Sequence, residues 1–185
     1  MRVVEVLAVL IFLFLLGISI GIAEITPLLP VAALGGWLLA DLFSGLVHWA
    51  LDTYGSVRTP IVGPAIIRPF REHHADPQGM TRHDFIEVNG ASCLGCLPIL
   101  FAVNFLEFNS FVDTLLICLC LGILFTNQCH KWAHMDAPPS FVRALRKLRL
   151  VLRADEHRLH HTPPYNSHFC TANGWLNGPL NRLLR

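Results

Sequence analysis

Hydrophobic residues in this chain come in long runs with few polar interruptions. Val3–Ala23 is interrupted only by Glu5, and after a Glu24-Ile25-Thr26-Pro27 turn a second run covers Leu28–Leu51. A third occupies Ser110–Gln128. Ala91–Phe108 is shorter and carries Pro98. Crossing a bilayer as a helix takes about 20 apolar residues, so the pattern predicts four spans at about 3–23, 28–51, 91–108 and 110–129. The first is read as a retained anchor: it is too long for a signal-peptide core and no small-x-small cleavage site follows it. Past the last run, Phe141–Leu152 mixes Phe141, Leu145, Leu148 and Leu152 with Arg143, Arg146, Lys147 and Arg149. After Pro138-Pro139-Ser140 this predicts an amphipathic helix lying on the membrane surface. The expected fold class is all-α integral membrane, with residues 1–185 forming a single membrane-embedded domain.

Composition agrees, with 53% hydrophobic and 15% charged residues, too apolar for an ordinary soluble domain. The 14 Lys and Arg residues lie at Arg2, within the Thr53–Gly90 segment, and from Lys131 onward. Four spans bring all of these to one side, and the other side receives hairpins containing Glu24 and Glu107–Asp113 with no basic residue. Positively charged loops stay in the cytoplasm, so the basic side is predicted to be cytoplasmic. The protein is then a multi-pass membrane protein, of the endoplasmic reticulum in a eukaryote or of the inner membrane in a bacterium. Six cysteines form no disulfide pattern: Cys93, Cys96, Cys118 and Cys120 fall within spans, where a thiol acts as a small hydrophobe. Cys93-x-x-Cys96 has no second pair at zinc spacing. A net charge of +1 carries no nucleic-acid signature.

The chemistry lies in the 10 histidines. Residues at i and i+4 share a helix face. His48 and Asp52 have that spacing at the end of the second run, with Asp41 and Gly45 on the same stripe, and His130 and His134 have it at the end of the fourth. His157, His160 and His161 project together if Ala154–His161 is helical. His73-His74 sit in a stretch read as loop between Pro69 and Pro77. On the four-span topology all the histidines reach one membrane face, with the 53–90 loop and the C-terminal segment forming a histidine-rich cap. Neutral imidazole is the commonest metal ligand, and eight clustered histidines exceed a single zinc site and suit two metals. Imidazole accommodates zinc, copper, iron and nickel, so spacing leaves the metal open between oxygen chemistry and hydrolysis. His83 reads as structural. His168, trailing the last cluster, is a possible further ligand.

Several strings carry a resemblance. His-x-x-x-Asp, His-His, His-x-x-x-His and His-x-x-His-His in a four-span frame resemble the membrane fatty acyl and alkyl lipid desaturases. The stretch from Ala40 to Ser56, with Arg68-Pro69-Phe70-Arg71-Glu72-His73-His74, is similar to the Kua/CarF family, the plasmanylethanolamine desaturases. So are Thr81–Glu87, Asn127–His134 and Gly174-Trp175-Leu176-Asn177. The resemblance runs from about Leu39 to Asn177. It implies a di-iron enzyme that uses O2 and electrons from a small carrier, such as cytochrome b5 or ferredoxin, to introduce the vinyl-ether double bond into an ether phospholipid. By position it implies iron ligands at His48, His73, His74, His130, His134, His157, His160 and His161, with Asp52 a ligand or a partner to one. A histidine common in the family after the last cluster is replaced here by Tyr165, within Pro163-Pro164-Tyr165-Asn166. That string looks more like the related plant plastid desaturase, which places a trans double bond in phosphatidylglycerol. An acyl-chain trans-desaturase or a lipid hydroxylase with the same di-iron site is therefore the alternative, and a membrane metal carrier a remoter one. Arg71, Arg82 and Arg158 are expected near the lipid headgroup.

Overall fold

The computed structural model describes residues 2–184, in which helices and the turns that join them occur and no strand does. Four helices are long and apolar enough to cross a membrane: α1 (Arg2–Ile22), α2 (Leu29–Thr53), α5 (Phe85–Phe105) and α6 (Ser110–His134). Short helices α3 (Arg68–Ala75) and α4 (Gly79–Arg82) lie between α2 and α5, and α7 (Ser140–Lys147), α8 (Ala154–His160) and α9 (Asn177–Leu183) follow α6. The chain divides into two compact units, one of the residues up to Asp41 with Asp84–Gln128, the other of Leu42–His83 with the chain from Cys129 onward.

In the first unit α1 packs on α5. Its core holds Phe12 and Leu16 of α1, Ala40 of α2, Cys93, Cys96, Leu100 and Val103 of α5, and Ile117, Cys120 and Leu124 of α6. All six cysteines are free. Helices in lipid gain nothing from hydrophobic association and rely on close packing and polar contacts, and both are present. Asn104 Nδ2 lies 2.7 Å from Ser19 Oγ and 3.2 Å from the Leu15 carbonyl, tying α5 to α1. A Cβ on Gly36 would lie 2.5 Å from the Leu115 carbonyl oxygen, and one on Gly122 would collide with the Ala40 Cβ. Gly122→Leu should therefore lower the thermal midpoint in detergent, a loss of about 1–3 kcal/mol as for other overpacked cores. Gly95→Ala, where nothing lies within 4 Å, should leave it unchanged.

Hydropathy places the third span too late. α5 starts at Phe85 because Asp84 and Glu87 form a reciprocal capping box that satisfies its first amides. Arg2 pairs with both carboxylates, and its guanidinium holds the Asp84 carboxyl down at about 2. The helix runs through Pro98 without ending.

In the second unit two expectations are corrected. The His73-His74 stretch is helical, since Pro69 falls in the first turn of α3, where a missing N–H costs nothing. The surface helix stops at Lys147, because Arg149 adopts φ 56°. Its apolar residues divide accordingly: Leu152 joins Cys129, Ala133, Val142 and Val151 in a core, while Phe141 and Leu148 remain exposed.

Candidate metal centre

α2 and α6 each contain 25 residues against 21 in α1 and α5. The final turns carry His48 and Asp52 at the end of α2, and His130 and His134 at the end of α6. α3 supplies His73 and His74. α8 supplies His157 and His160, with His161 as its C-cap. All of these residues belong to the second unit.

Their ring nitrogens converge. One ligand atom from each of His73, His130, His134, His157 and His161 falls within 4.8 Å of the others, and the same holds for His48, His73, His74 and His160. The Nε2 atoms of His130 and His134 are 3.1 Å apart, those of His134 and His157 2.9 Å, and those of His157 and His161 3.1 Å. Imidazoles bound about 2.1 Å from one ion at right angles would have nitrogens roughly 3 Å apart.

The outer nitrogens fix the tautomers of three rings. His48 Nδ1 is 3.1 Å from the Phe169 carbonyl and His160 Nδ1 2.9 Å from that of Ser167, and His73 Nδ1 meets the carbonyl of Phe70. A carbonyl only accepts, so each Nδ1 carries the proton and each Nε2 turns a lone pair inward. Those three Nε2 atoms are buried and have no hydrogen-bond partner, a costly arrangement unless a ligand takes them up. Asp52 sharpens the point. Its Oδ2 accepts from His74 Nε2 at 3.1 Å, yet also faces Nε2 of His48 and of His160 at 3.4 Å. Lone pairs opposed to a carboxylate call for a cation between them. The residues fit a metal centre, and carbonyls holding the outer nitrogens are the usual support for ligating histidines.

Burial among other imidazoles pushes His73 down to about 3 and His161 down to about 2, and lowers His157 well below its ordinary value. All three are neutral at pH 7, as metal ligands must be. Unfolded histidines titrate near 6.5, so this contribution to stability is complete above that pH and is lost as the pH falls from there toward the folded values. Metal-free protein should accordingly show a thermal midpoint that drops steadily from about pH 7 to about pH 4; a flat profile would mean these imidazoles are not buried in their neutral form.

Two histidines stand apart. His83, at the C-cap of α4, offers its carbonyl to Lys131. His168 lies outside both groups, with Nδ1 2.9 Å from Ser167 Oγ. The sequence reading missed the 167–173 segment, which supplies carbonyls to His160 and His48. It is anchored by Asn177, whose Oδ1 accepts from the Cys170 amide at 2.9 Å, and by Ser44, whose Oγ accepts from Thr171 N at 3.0 Å. Gly45 lets it approach α2: a Cβ there would be 2.7 Å from Cys170 Sγ. The Gly174–Asn177 string and the Gly45 stripe were its only sequence signal.

A cleft of about 490 Å³ opens beside Asp52 and His74, walled by Trp49, Thr53, Arg71, Tyr165, Phe169 and Leu184 among others. The Tyr165 ring stands edge-on to His74 at 5.0 Å. Arg71 Nε and Nη2 donate to the carbonyls of Leu51, Tyr54 and Gly55, so it caps α2 as well as lining the cleft. Arg82 pairs with Asp76 at 2.5 Å. Arg158 lines a separate cleft with Arg146, Lys147, Arg153 and Asp155, the last paired with Arg153, so that the cleft keeps a net positive charge.

The family model described as the lipid desaturase domain matches residues 37–184, which include every histidine discussed above. The chain belongs to the lipid desaturase family. It is 47% identical over 159 residues to the plasmanylethanolamine desaturase of Myxococcus xanthus, covering 84% of this chain and 57% of that protein. Plasmanylethanolamine desaturase 1 of Mus musculus is 46% identical over 85% of this chain and 62% of its own length. Chloroplastic fatty acid desaturase 4 of Arabidopsis thaliana is 38% identical, with 81% and 47% covered. The chain thus spans about three-fifths or less of these relatives. No solved structure matches it.

Proposed function

We propose that this lipid desaturase homologue is a di-iron, O2-dependent enzyme that introduces the vinyl-ether double bond into the alkyl chain of plasmanylethanolamine, and that residues 1–185 act as one membrane-embedded domain. The observation that carries the reading is the convergence of eight inward-facing histidines beside a cleft open at Asp52 and His74. The ligands would be His48, His73, His74, His130, His134, His157, His160 and His161, with Asp52 a ligand itself or the acceptor that orients His74. Iron bound there supplies the dioxygen and one-electron chemistry that side chains lack. Desaturation takes one hydrogen from each of two adjacent carbons, and O2, with two electrons and two protons, leaves as two waters.

The chain's own part is orientation. Trp49, Phe169 and Leu184 give the cleft apolar walls for a lipid chain, while Asp52 and Arg71 make one wall polar. Because the ligands occupy the last turns of α2 and α6, a lipid presents the carbons nearest its glycerol, where the vinyl ether forms. The distribution of Lys and Arg favours a cytoplasmic position for the histidines, in the endoplasmic reticulum of a eukaryote or the inner membrane of a bacterium.

Electrons would come from an acidic carrier such as cytochrome b5 or ferredoxin, docked at the cleft of Arg146, Lys147, Arg153 and Arg158. Arg158 directly follows His157 on α8. Arg158→Glu should raise the KM for the carrier about tenfold at low salt with little change in kcat, an effect that added salt erases.

Protein reconstituted with 1-alkyl-2-acyl phosphatidylethanolamine, a reductase and a carrier should yield the 1-alkenyl product by mass spectrometry. The second reading, an acyl-chain trans-desaturase, is favoured by Tyr165 at the cleft and by similarity to the chloroplastic enzyme. A trans double bond in the acyl chain would establish it at the expense of the first, and a hydroxylated lipid would overturn both.

A further inference from the structure

Between α2, which carries His48 and Asp52, and α3, which carries His73 and His74, the chain runs through residues 54–67 with most of its apolar side chains turned outward. Tyr54 is 59% exposed, Ile61 82%, Val62 42% and Ile66 43%. Ile61 has φ 65°, a backbone conformation that a β-branched residue rarely adopts. The segment is nevertheless tightly built. Thr59 N donates to Ser56 O at 2.9 Å and Gly63 N to Thr59 O at 2.8 Å. A Cβ on Gly63 would be 2.5 Å from the Val57 carbonyl oxygen, so the loop closes directly on itself. A π turn at Gly63–Ile67 follows, Ile67 is buried, and Arg71 binds the carbonyls of Tyr54 and Gly55. The fold therefore holds an apolar tip outward on a rigid base.

Exposed apolar clusters of this kind mark contact surfaces. Three observations select the bilayer as the occupant. The segment continues without interruption from α2, a helix long and apolar enough to cross a membrane. Arg58 and Arg68 bracket the tip, both exposed, as cations do when they reach for headgroups from an apolar base. And no acidic residue occurs from Thr53 to Arg71, so two copies apposed at this surface would bring like charges together. The helices that flank the segment also meet the cleft, since Thr53 of α2 and Arg71 of α3 both line it.

We propose that residues 54–67 form a rigid apolar lip that inserts into the headgroup–acyl boundary of the bilayer and passes a phospholipid from the membrane into the cleft at Asp52 and His74. Insertion stands independently of the chemistry; the identity of the passing lipid rests on the function proposed above. A nitroxide attached at Ile61→Cys in the full chain, reconstituted into phosphatidylcholine–phosphatidylglycerol vesicles, should collide preferentially with oxygen over a water-soluble nickel chelate. Wild-type protein labelled in parallel removes the background of the native cysteines. Preferential collision with nickel, or spin–spin broadening from a second copy, would overturn insertion. Ile61→Glu should assemble in the membrane with unchanged metal content and raise the KM for vesicle-borne lipid about tenfold at unchanged kcat. An unchanged KM would overturn the delivery role. If no lipid is turned over at all, the collision measurement still decides insertion, so that failure is separate from failure of the desaturase reading.

Discussion

His73→Ala is expected to leave about one metal ion per chain in place of two and to abolish turnover, with affinity at the damaged position falling more than about 100-fold, beyond the loss seen when only a supporting residue is removed. His73 is singled out because its ligand atom lies within reach of both groups of histidines. Its Nδ1 is committed to the Phe70 carbonyl, leaving Nε2 to serve a single ion. Assigned with His48, His74 and His160, it divides the eight imidazoles four and four, and Asp52 stands beside that group. Its removal leaves three histidines there. Metal analysis after dialysis against a mild chelator reads the outcome directly. Two ions retained with normal turnover would remove His73 from the centre.

Asp52→Asn should weaken metal binding by about 10–100-fold, the range for residues that orient a ligand, and lower kcat with it. The asparagine keeps the size of the side chain and an oxygen that can still accept from His74, as Oδ2 does at 3.1 Å, but it loses the negative charge that a cation at this position would balance. The same oxygen faces His48 and His160, so one substitution disturbs three rings held by α2, α3 and α8. The effect should be confined to the ion bound by that group. Wild-type resistance to chelator would show that Asp52 neither binds nor orients.

Much of this was legible in the chain. Long, mostly apolar runs mark α1, α2, α5 and α6, since length and composition alone decide whether a helix can cross a membrane. The i, i+4 spacing places His48 with Asp52 and His130 with His134 on single helix faces, and the 157–161 spacing brings its three histidines together once α8 forms. Other features were hidden for definite reasons. Pro69 and Pro77 made the His73-His74 stretch read as loop, whereas a proline in a first turn favours the helix. The start of α5 depends on a polar capping box that hydropathy averages away. Leu152 fits an amphipathic stripe but is buried in a core, because the chain turns at Arg149. The carbonyls of Phe70, Ser167 and Phe169 that fix the ring tautomers belong to the backbone, and no pattern of side chains reveals them.

On the function proposed above, eight histidines of one compact unit hold two ions of a redox metal. Metal analysis of protein purified from cells grown with iron, paired with oxygen-consumption measurements in the presence of reductant and lipid, tests it most directly. About two irons per chain and oxygen uptake dependent on the lipid are expected. Zinc in those positions with no oxygen consumed would contradict the proposal.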